Sequence, residues 1–308
     1  MDTPVIHQGQ LLSCAVASGE VEWLLNQSFP VASGASFYDD FPAWQSADAE
    51  WRALRGAGGE LLTAAGCLIG DWNLSPTLPP LRVARIGGVV TSSAHRGKGH
   101  AGRLMQEWIE LLGARGVRLL VLWGFDSPLY QRLGFQPLGR QVRVPIAKCR
   151  ANLAAAASSA GFSTLEGFSP EIFSFMQERR RQGQGVLLSD AEFTVMARHQ
   201  NTRWLRVLDR NQSVVGYGAF GRGVDLGHQL HEWGGRPEAL SLILDWATGI
   251  SSEAEIMGSY AELSSVLGRL PEEAVIEPVC LARVLDDKLF SLLERFEDSL
   301  WFWGLDGV

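Results

Sequence analysis

One segment of the sequence, residues 83–112, constrains the fold more than any other. An apolar stretch at 83–91 runs into a polar, glycine-rich segment, and then into a stretch whose apolar residues recur at α-helical spacing. This order predicts a strand, a turn and an amphipathic helix. A turn of this kind directs backbone N–H groups and a helix N-terminus at one point, which is how proteins bind phosphate groups. The sequence therefore predicts a phosphate-containing ligand at this turn.

Two motifs share the residues of the turn and predict different ligands. Residues 97–102 read G-K-G-H-A-G and match the G-x-G-x-x-G pattern of dinucleotide-binding turns, whereas residues 96–101 match R-x-x-G-x-A. A dinucleotide turn places its first glycine directly after a strand of a parallel sheet, but here five polar or small residues precede Gly97. The sequence upstream also predicts an antiparallel meander. Both observations favour the second motif over the dinucleotide interpretation.

Composition and charge restrict the class of protein. Of the 308 residues, 46% are hydrophobic and 20% are charged, as in well-packed globular proteins. The net charge of −7 disfavours nucleic acid as the main partner. No apolar run has the length of a membrane span and no signal peptide is visible, so a cytoplasmic protein without membrane contact is expected. The four cysteines are scattered, so neither a metal site nor a disulfide framework is expected.

The second half of the sequence repeats the pattern of the first half. Two predicted strands lead to a double glycine at 234–235 and then to a helix, and residues 263–268 (L-S-S-V-L-G) parallel residues 129–134 (L-Y-Q-R-L-G). The second copy is shorter because it lacks the glycine-rich turn, and it has Ser264 where the first copy has Tyr130. The sequence therefore predicts one site for a phosphate-containing ligand per chain, located in the first half.

The first half resembles the GNAT superfamily of N-acetyltransferases. Residues 10–147 follow the order of elements in that family, including a terminal hairpin at 135–146. The R-x-x-G-x-A motif at 96–101 resembles the family's pyrophosphate-binding turn, and residues 129–135 (L-Y-Q-R-L-G-F) resemble its F-Y-x-x-x-G-F segment, with Leu129 in place of the usual aromatic residue. An intact copy followed by a degenerate copy also occurs in this superfamily.

The resemblance implies an α/β fold made of two tandem GNAT-like domains. Each would be a mostly antiparallel mixed sheet with a central, splayed parallel pair flanked by helices. The Ala- and Ser-rich stretch at 151–163 predicts the boundary. We expect an acyl-CoA-binding catalytic domain at 1–150 and a degenerate GNAT-like domain at 160–308.

The resemblance also implies which residues bind acetyl-CoA, the expected acyl donor. Backbone N–H groups of the turn would hold the CoA pyrophosphate, and the end of the preceding strand would pair with the pantetheine amides. The alternative for Lys98 is a solvated loop lysine, and the residue that matches Arg96 often supplies local structure. The expected cofactor-binding residues are Val89, Val90, Thr91, Arg96, Gly97, Lys98, Gly99, His100, Ala101 and Gly102.

By the same resemblance, Tyr130 is the expected catalytic acid, which would protonate the departing CoA thiolate. Many family members have a glutamate on the central strand as base, but residues 82–89 contain no carboxylate, so the base is not identified. Aromatic residues beside carboxylates would suit a cationic amine. Alternatively, the aromatic residues belong to the core and the acids cap a helix. The expected substrate-binding residues are Tyr38, Asp39, Asp40, Trp72 and Trp123.

The sequence therefore predicts an N-acetyltransferase that transfers an acetyl group from acetyl-CoA to a primary amine. The acceptor would be a small molecule or a peptide, which attacks directly in a ternary complex. Two alternatives remain. The first is a non-catalytic acyl-CoA-binding or regulatory module, and the second is a dinucleotide-dependent oxidoreductase. The oligomeric state is not predicted.

Overall fold

The computed structural model describes residues 13–29, 31, 35–124, 128–153, 161–182, 185–196, 202–223 and 225–302. Within these ranges the chain forms two seven-stranded mixed sheets with helices packed against them. The prediction of two tandem α/β copies is confirmed. None of the helices in these ranges is long and apolar enough to cross a membrane.

The first half of the described chain contains seven strands and five helices. The strands are β1 (Ser13–Val16), β2 (Glu50–Arg55), β3 (Leu61–Trp72), β4 (Leu81–Thr91), β5 (Leu119–Leu122), β6 (Gln136–Leu138) and β7 (Gln141–Pro145). The helices are α1 (Ser18–Asn26), α2 (Phe37–Asp40), α3 (His100–Ala114), α4 (Pro128–Arg132) and α5 (Ile146–Leu153).

The second half of the described chain repeats this composition with seven further strands. They are β8 (Ser163–Glu166), β9 (Arg203–Leu208), β10 (Val214–Phe220), β11 (Gln229–Gly235), β12 (Glu255–Ser259), β13 (Val275–Glu277) and β14 (Cys280–Val284). The helices are α6 (Pro170–Arg181), α7 (Asp190–Met196), α8 (Pro237–Ile250), α9 (Tyr260–Leu267) and α10 (Asp287–Glu294). Helix α8 follows β11 as α3 follows β4, and α9 follows β12 as α4 follows β5.

Each sheet contains one strand from the other half of the chain. The first sheet has the order β1-β2-β3-β4-β5-β14-β6, and the second has the order β13-β7-β12-β11-β10-β9-β8. Strand β14 therefore occupies the position between β5 and β6, and β7 occupies the matching position between β12 and β13. All four of these neighbouring pairs are antiparallel. The two halves are joined by exchanged strands.

This exchange corrects the expectation of a terminal hairpin at residues 135–146. Strands β6 and β7 lie in different sheets, and the backbone of Arg140 between them bonds to the second half of the chain. Its N–H donates to Glu297 O at 3.1 Å, and its carbonyl accepts from the Tyr260 N–H at 2.9 Å. The apolar alternation of β7 predicts a strand but contains no information on its partner. The expected domain limits, 1–150 and 160–308, stay a prediction. They describe the two copies along the sequence, whereas each sheet combines strands from both copies.

Helix α3 packs on the first sheet through the stripe that its periodicity predicts. Its buried residues are Leu104, Met105, Trp108, Ile109 and Leu112. The indole N–H of Trp108 donates to the carbonyl of Ala65 on β3 at 3.4 Å. This packing places the N-terminus of α3 at the carboxyl end of β4, with the glycine-rich turn between the two elements.

Candidate active site

The central parallel pair of the first sheet opens towards the glycine-rich turn. Pairing between β4 and β5 extends from Val83↔Leu119 to Ile86↔Leu122 and does not continue past that pair in the described residues. Immediately afterwards, β4 carries a bulge, seen as a register shift against β3. Gly88 lies in this bulge with φ +56°, a conformation that favours glycine. The predicted splayed pair is therefore present.

The glycine-rich turn presents an open surface next to this opening. Gly97 and Gly99 have φ of +74° and +79°, and a Cβ added at either residue would meet no atom within 4 Å. Their backbone conformation, rather than lack of space, accounts for glycine at both positions. Gly99 is the N-cap of α3, which starts without a side-chain cap and without an acidic residue in its first turn. The first N–H groups of α3 therefore suit an anionic ligand, and the turn fits a pyrophosphate.

The cationic side chains of the turn fold back onto it. Arg96 Nε donates to the carbonyl of Thr91 at 3.2 Å, and its Nη2 donates to Ser28 Oγ at 3.3 Å. Lys98 Nζ donates to the carbonyl of Ala94 at 3.2 Å. Both residues thus support the shape of the turn while they add positive charge beside it.

His100, the first residue of α3, is also part of this positively charged region. Burial, together with the charges of His95, Lys98 and Arg103, lowers the pKa of His100 below its usual value. The neutral imidazole is therefore favoured at neutral pH, and the positive charge of the region comes from Arg96, Lys98 and Arg103.

A cavity of about 800 Å³ lies at the opening between β4 and β5. This volume is within the range of about 300–1,000 Å³ that is usual for small-molecule sites. Both halves of the chain form its wall. The residues from the first half, including β7, are Phe29, Phe37, Phe41, Ile86, Gly87, Gly88, Val89, Leu122, Trp123, Gly124, Tyr130, Gln141 and Arg143. Those from the second half are Arg222, Asp225, Leu226, Gln229, Met257, Glu277 and Phe302.

Tyr130 on α4 reaches the cavity beside the opening. Its ring packs edge-on against Phe135 with ring centroids 5.9 Å apart, and its Cε2 lies 3.7 Å from the position of a Cβ at Gly124. Burial raises the pKa of Tyr130 above its usual value. The phenol is therefore protonated at neutral pH and can donate a proton at the opening.

Two of the five expected substrate-binding residues are close to the cavity. Trp123 lines it and packs edge-on against Phe302 with ring centroids 5.1 Å apart. Asp40 is 2% exposed and lies behind the wall beside Arg222 and Asp225, and burial together with Asp225 raises its pKa. A Cβ added to Gly223, the residue after Arg222, would lie 3.1 Å from the Asp40 side chain.

The other three expected substrate-binding residues have structural contacts away from the cavity lining. Tyr38 is buried, and its hydroxyl donates to the carbonyl of Ser18 at 2.7 Å. Asp39 accepts from the Ser36 N–H at 2.7 Å, which caps α2 as the helix-cap alternative predicts. Trp72 is buried against the ring of Phe302, with ring centroids 4.2 Å apart.

Four charged residues of the cavity wall were not among the expected site residues: Arg143, Arg222, Asp225 and Glu277. Each belongs to the second half of the chain or to the exchanged strand β7. Because side chains alternate along a strand, Arg143 lies on the opposite face of β7 from the buried residues Val142 and Val144. Which sheet that face belongs to depends on the exchange, so the sequence carried no signal that these residues meet Tyr130.

The second copy has no open counterpart of this site within the described residues. Its parallel pair, β11 and β12, separates after Leu230↔Ile256, but the indole N–H of Trp233 then donates to the carbonyl of Met257 at 2.8 Å. The side chain of Trp233 thus fills the position that is open in the first copy. Strand β11 also leads directly into α8, with Pro237 in the first turn, and no glycine-rich turn intervenes.

The fold contradicts the dinucleotide interpretation of the turn. A dinucleotide-binding unit requires a parallel strand order around the first glycine-rich turn. Here β3 pairs with β4 in antiparallel orientation over nearly its whole length, from Thr63↔Thr91 to Trp72↔Leu81. The G-x-G-x-x-G match at residues 97–102 is therefore coincidental.

Comparison with known proteins identifies the first half of the chain. Residues 24–138 match the family model of the acetyltransferase (GNAT) domain. No curated protein matches the sequence. The matched residues include the opening, the glycine-rich turn and Tyr130, so the motifs at 96–101 and 129–135 lie inside the matched domain.

Solved structures extend the similarity to most of the chain. A probable N-acyltransferase from Enterococcus faecalis V583 is 13% identical, with a TM-score of 0.66 over 91% of this chain and 74% of that chain. A GCN5-related N-acetyltransferase from Anabaena variabilis is 14% identical, with a TM-score of 0.65 over 90% and 74%. A tandem GNAT protein from the clavulanic acid biosynthesis pathway is 14% identical, with a TM-score of 0.50 over 89% and 98%. Residues 24–138 thus match the GNAT acetyltransferase domain model, and the fold of the described chain is similar to that of a tandem GNAT protein.

Proposed function

We propose that this protein transfers an acetyl group from acetyl-CoA to a primary amine, at a single site in its first half. The observation that carries the proposal is one of geometry. The opening between β4 and β5 and the side chain of Tyr130 line one cavity, and the glycine-rich turn follows β4 at the same end of the sheet. A thioester arm held at the turn would pass along the end of β4 and enter the cavity at the opening.

Three groups of residues would hold the donor. Backbone N–H groups at Gly97–Gly102 would bind the pyrophosphate, with Arg96 and Lys98 contributing positive charge. The free edge of β4, at Val89, Val90 and Thr91, would pair with the pantetheine amides as an added strand. Bound there, acetyl-CoA supplies the activated acetyl thioester.

In the proposed reaction, the neutral acceptor nitrogen attacks the thioester carbonyl from the cavity. A C–N bond forms, the C–S bond breaks, and the nitrogen loses one proton while the sulfur gains one. Tyr130 would give its proton to the sulfur and recover one through solvent. Because burial raises the pKa of Tyr130, the proton is available at neutral pH. Strand β4 contains no carboxylate that could act as base, and an amine that is partly neutral at the working pH would need little help from one.

Acetyl-CoA titration by calorimetry and a thiol-release assay with an amine panel test this proposal. We expect binding in the micromolar range or tighter and release of CoA with at least one amine. Lys98→Ala should weaken binding, whereas Lys148→Ala, which removes a surface lysine paired with Glu273, should not. Failure to bind acetyl-CoA would refute the proposal. Binding without release from any amine would instead support a non-catalytic acyl-CoA module.

A further inference from the structure

The second sheet contributes a polar face to the cavity. On β7, Val142 and Val144 are fully buried, so Gln141 and Arg143 lie on the opposite face. Register pairs place Glu277 of β13 beside Gln141 and Met257 of β12 beside Arg143, on that same face. All four residues line the cavity. The exchange of β7 therefore brings these four side chains of the second sheet, here called the platform, to the reaction site proposed for the first sheet.

The charges do not balance when the carboxylate of Glu255, which lies behind the cavity wall, is counted with those of the platform. Arg143 donates from Nε to Glu277 Oε1 at 2.9 Å and from Nη1 to Glu255 Oε2 at 3.2 Å. Gln229 Nε2 also donates to Glu255 Oε2 at 3.1 Å. One guanidinium thus serves two carboxylates, Glu277 in the cavity wall and Glu255 behind it, so these three side chains together carry a net charge of −1. In a partly desolvated cavity, this excess attracts a cation more strongly than it would in water.

Glu277 is the carboxylate of the platform that is prepared for a ligand. Its Oε1 accepts from Gln141 Nε2 at 2.7 Å and from Arg143 Nε at 2.9 Å, so the side chain is held in one orientation. Its Oε2 accepts no hydrogen bond from the residues that the structure describes, and the side chain is 36% exposed. Glu255, by contrast, uses one oxygen for both of its donors and does not line the cavity.

The other charged pair in the cavity does not offset this excess. Arg222 forms an ion pair with Asp225, and its guanidinium also lies over the ring of Phe41, 5.2 Å from the centroid. One positive and one negative charge cancel there. The rest of the wall is mainly apolar and aromatic.

We infer that the acceptor carries a cationic group in addition to the amine that is acylated, and that Glu277 binds this second group. The inference rests on the proposed acyl transfer. It assigns acceptor recognition to the second copy, whose described residues form no open counterpart of the opening between β4 and β5. A cavity of about 800 Å³ has room for a molecule that reaches from the opening of the first sheet to Glu277. The acceptor class is therefore a diamine or a larger polycation, rather than a simple monoamine.

Calorimetry with straight-chain alkane diamines, each beside the monoamine of the same length, tests the inference on the full chain with and without CoA. We expect the wild-type protein to bind the best diamine about tenfold more tightly than its monoamine, or about 1.4 kcal/mol. Glu277→Gln should abolish this preference. The control Glu273→Gln removes an exposed carboxylate nearby in sequence that pairs with Lys148 outside the cavity, and it should retain the preference.

A second variant distinguishes loss of charge from loss of structure. Arg143→Gln keeps both carboxylates and removes the cation between them, so it should strengthen diamine binding, which a folding defect would not do. Equal binding of diamine and monoamine by the wild type, or an undiminished preference in Glu277→Gln, overturns the inference. The thiol-release assay is run in parallel. A diamine preference without release from any amine refutes the proposed reaction alone, and release without a diamine preference refutes this inference alone.

Discussion

Replacing Gly88 by alanine tests whether the bulge that opens the first sheet depends on glycine for both backbone conformation and space. Gly88 has φ +56°, and an added Cβ would lie 2.6 Å from Trp51 Cη2 and 3.2 Å from Leu25 Cδ2. Trp51 is 3% exposed and its indole N–H donates to the carbonyl of Trp44, so the ring cannot move at low cost. Two separate penalties therefore act at this position.

The magnitude follows from adding these two effects. A left-handed backbone conformation costs a residue with a Cβ about 1–2 kcal/mol. Overpacking of a rigid core adds about 1–3 kcal/mol. We therefore expect Gly88→Ala to lower the free energy of unfolding by about 2–5 kcal/mol. Gly97→Ala is the matched control, because Gly97 also has positive φ but has no atom within 4 Å of an added Cβ, so only the first penalty applies.

Urea denaturation of both variants, with acetyl-CoA titration of the folded fraction, measures the effect. Gly88→Ala should be destabilised more than Gly97→Ala by about 1–3 kcal/mol. Adding Trp51→Leu to Gly88→Ala should recover part of this difference, which a double-mutant cycle would show as a coupling energy. Equal losses in the two single variants, or no coupling with Trp51, would refute the steric argument for the bulge.

Three further predictions concern single groups. Tyr130→Phe should lower kcat by about 10²–10⁴-fold with unchanged affinity for CoA, and an unchanged kcat contradicts the acid role. Because burial raises the pKa of Tyr130, the phenol of the wild-type protein should remain protonated through mildly alkaline pH. Glu232→Gln breaks a fully buried ion pair and should cost about 3–5 kcal/mol in urea denaturation, whereas Arg181→Ala removes an exposed pair and should cost at most about 1 kcal/mol. Burial lowers the pKa of His231 to about 4, below the value of about 6.5 expected when unfolded, so its neutral form contributes stability that is complete above about pH 6.5 and is lost as pH falls towards about 4. His231→Gln should flatten the decline of Tm across that window, and an unaltered decline would contradict the assignment.

Local features of the site were predictable from the sequence because they depend on neighbouring residues. The apolar spacing of α3 reports its buried stripe, and glycines at 97 and 99 report the positive φ of the turn. These signals lie within short segments, so no knowledge of the second half of the chain was required to read them.

The residues that form the cavity wall were not predictable, because they are brought together by contacts between distant parts of the sequence. The hydrogen bond from Gln141 to Glu277 joins residues 136 positions apart, and it exists only because β7 crosses to the second sheet. Alternation along β7 is the same whether its partner is β6 or β12. Aromatic and acidic composition near Asp39 suggested a substrate contact, but the same residue type also caps helices, and the cap is what the structure contains.

The exchange of strands determines when the first sheet can be completed during synthesis of the chain. More than 150 residues separate Leu122 from its partner Leu281, so the first sheet lacks an interior strand until β14 has left the ribosome. At about 5–20 residues per second, β5 waits on the order of ten seconds or more with an unpaired edge. Nascent chains stalled before β14 should therefore present that edge to chaperones, whereas chains released after it should not. The exchange of strands makes completion of the first sheet a late event rather than an early one.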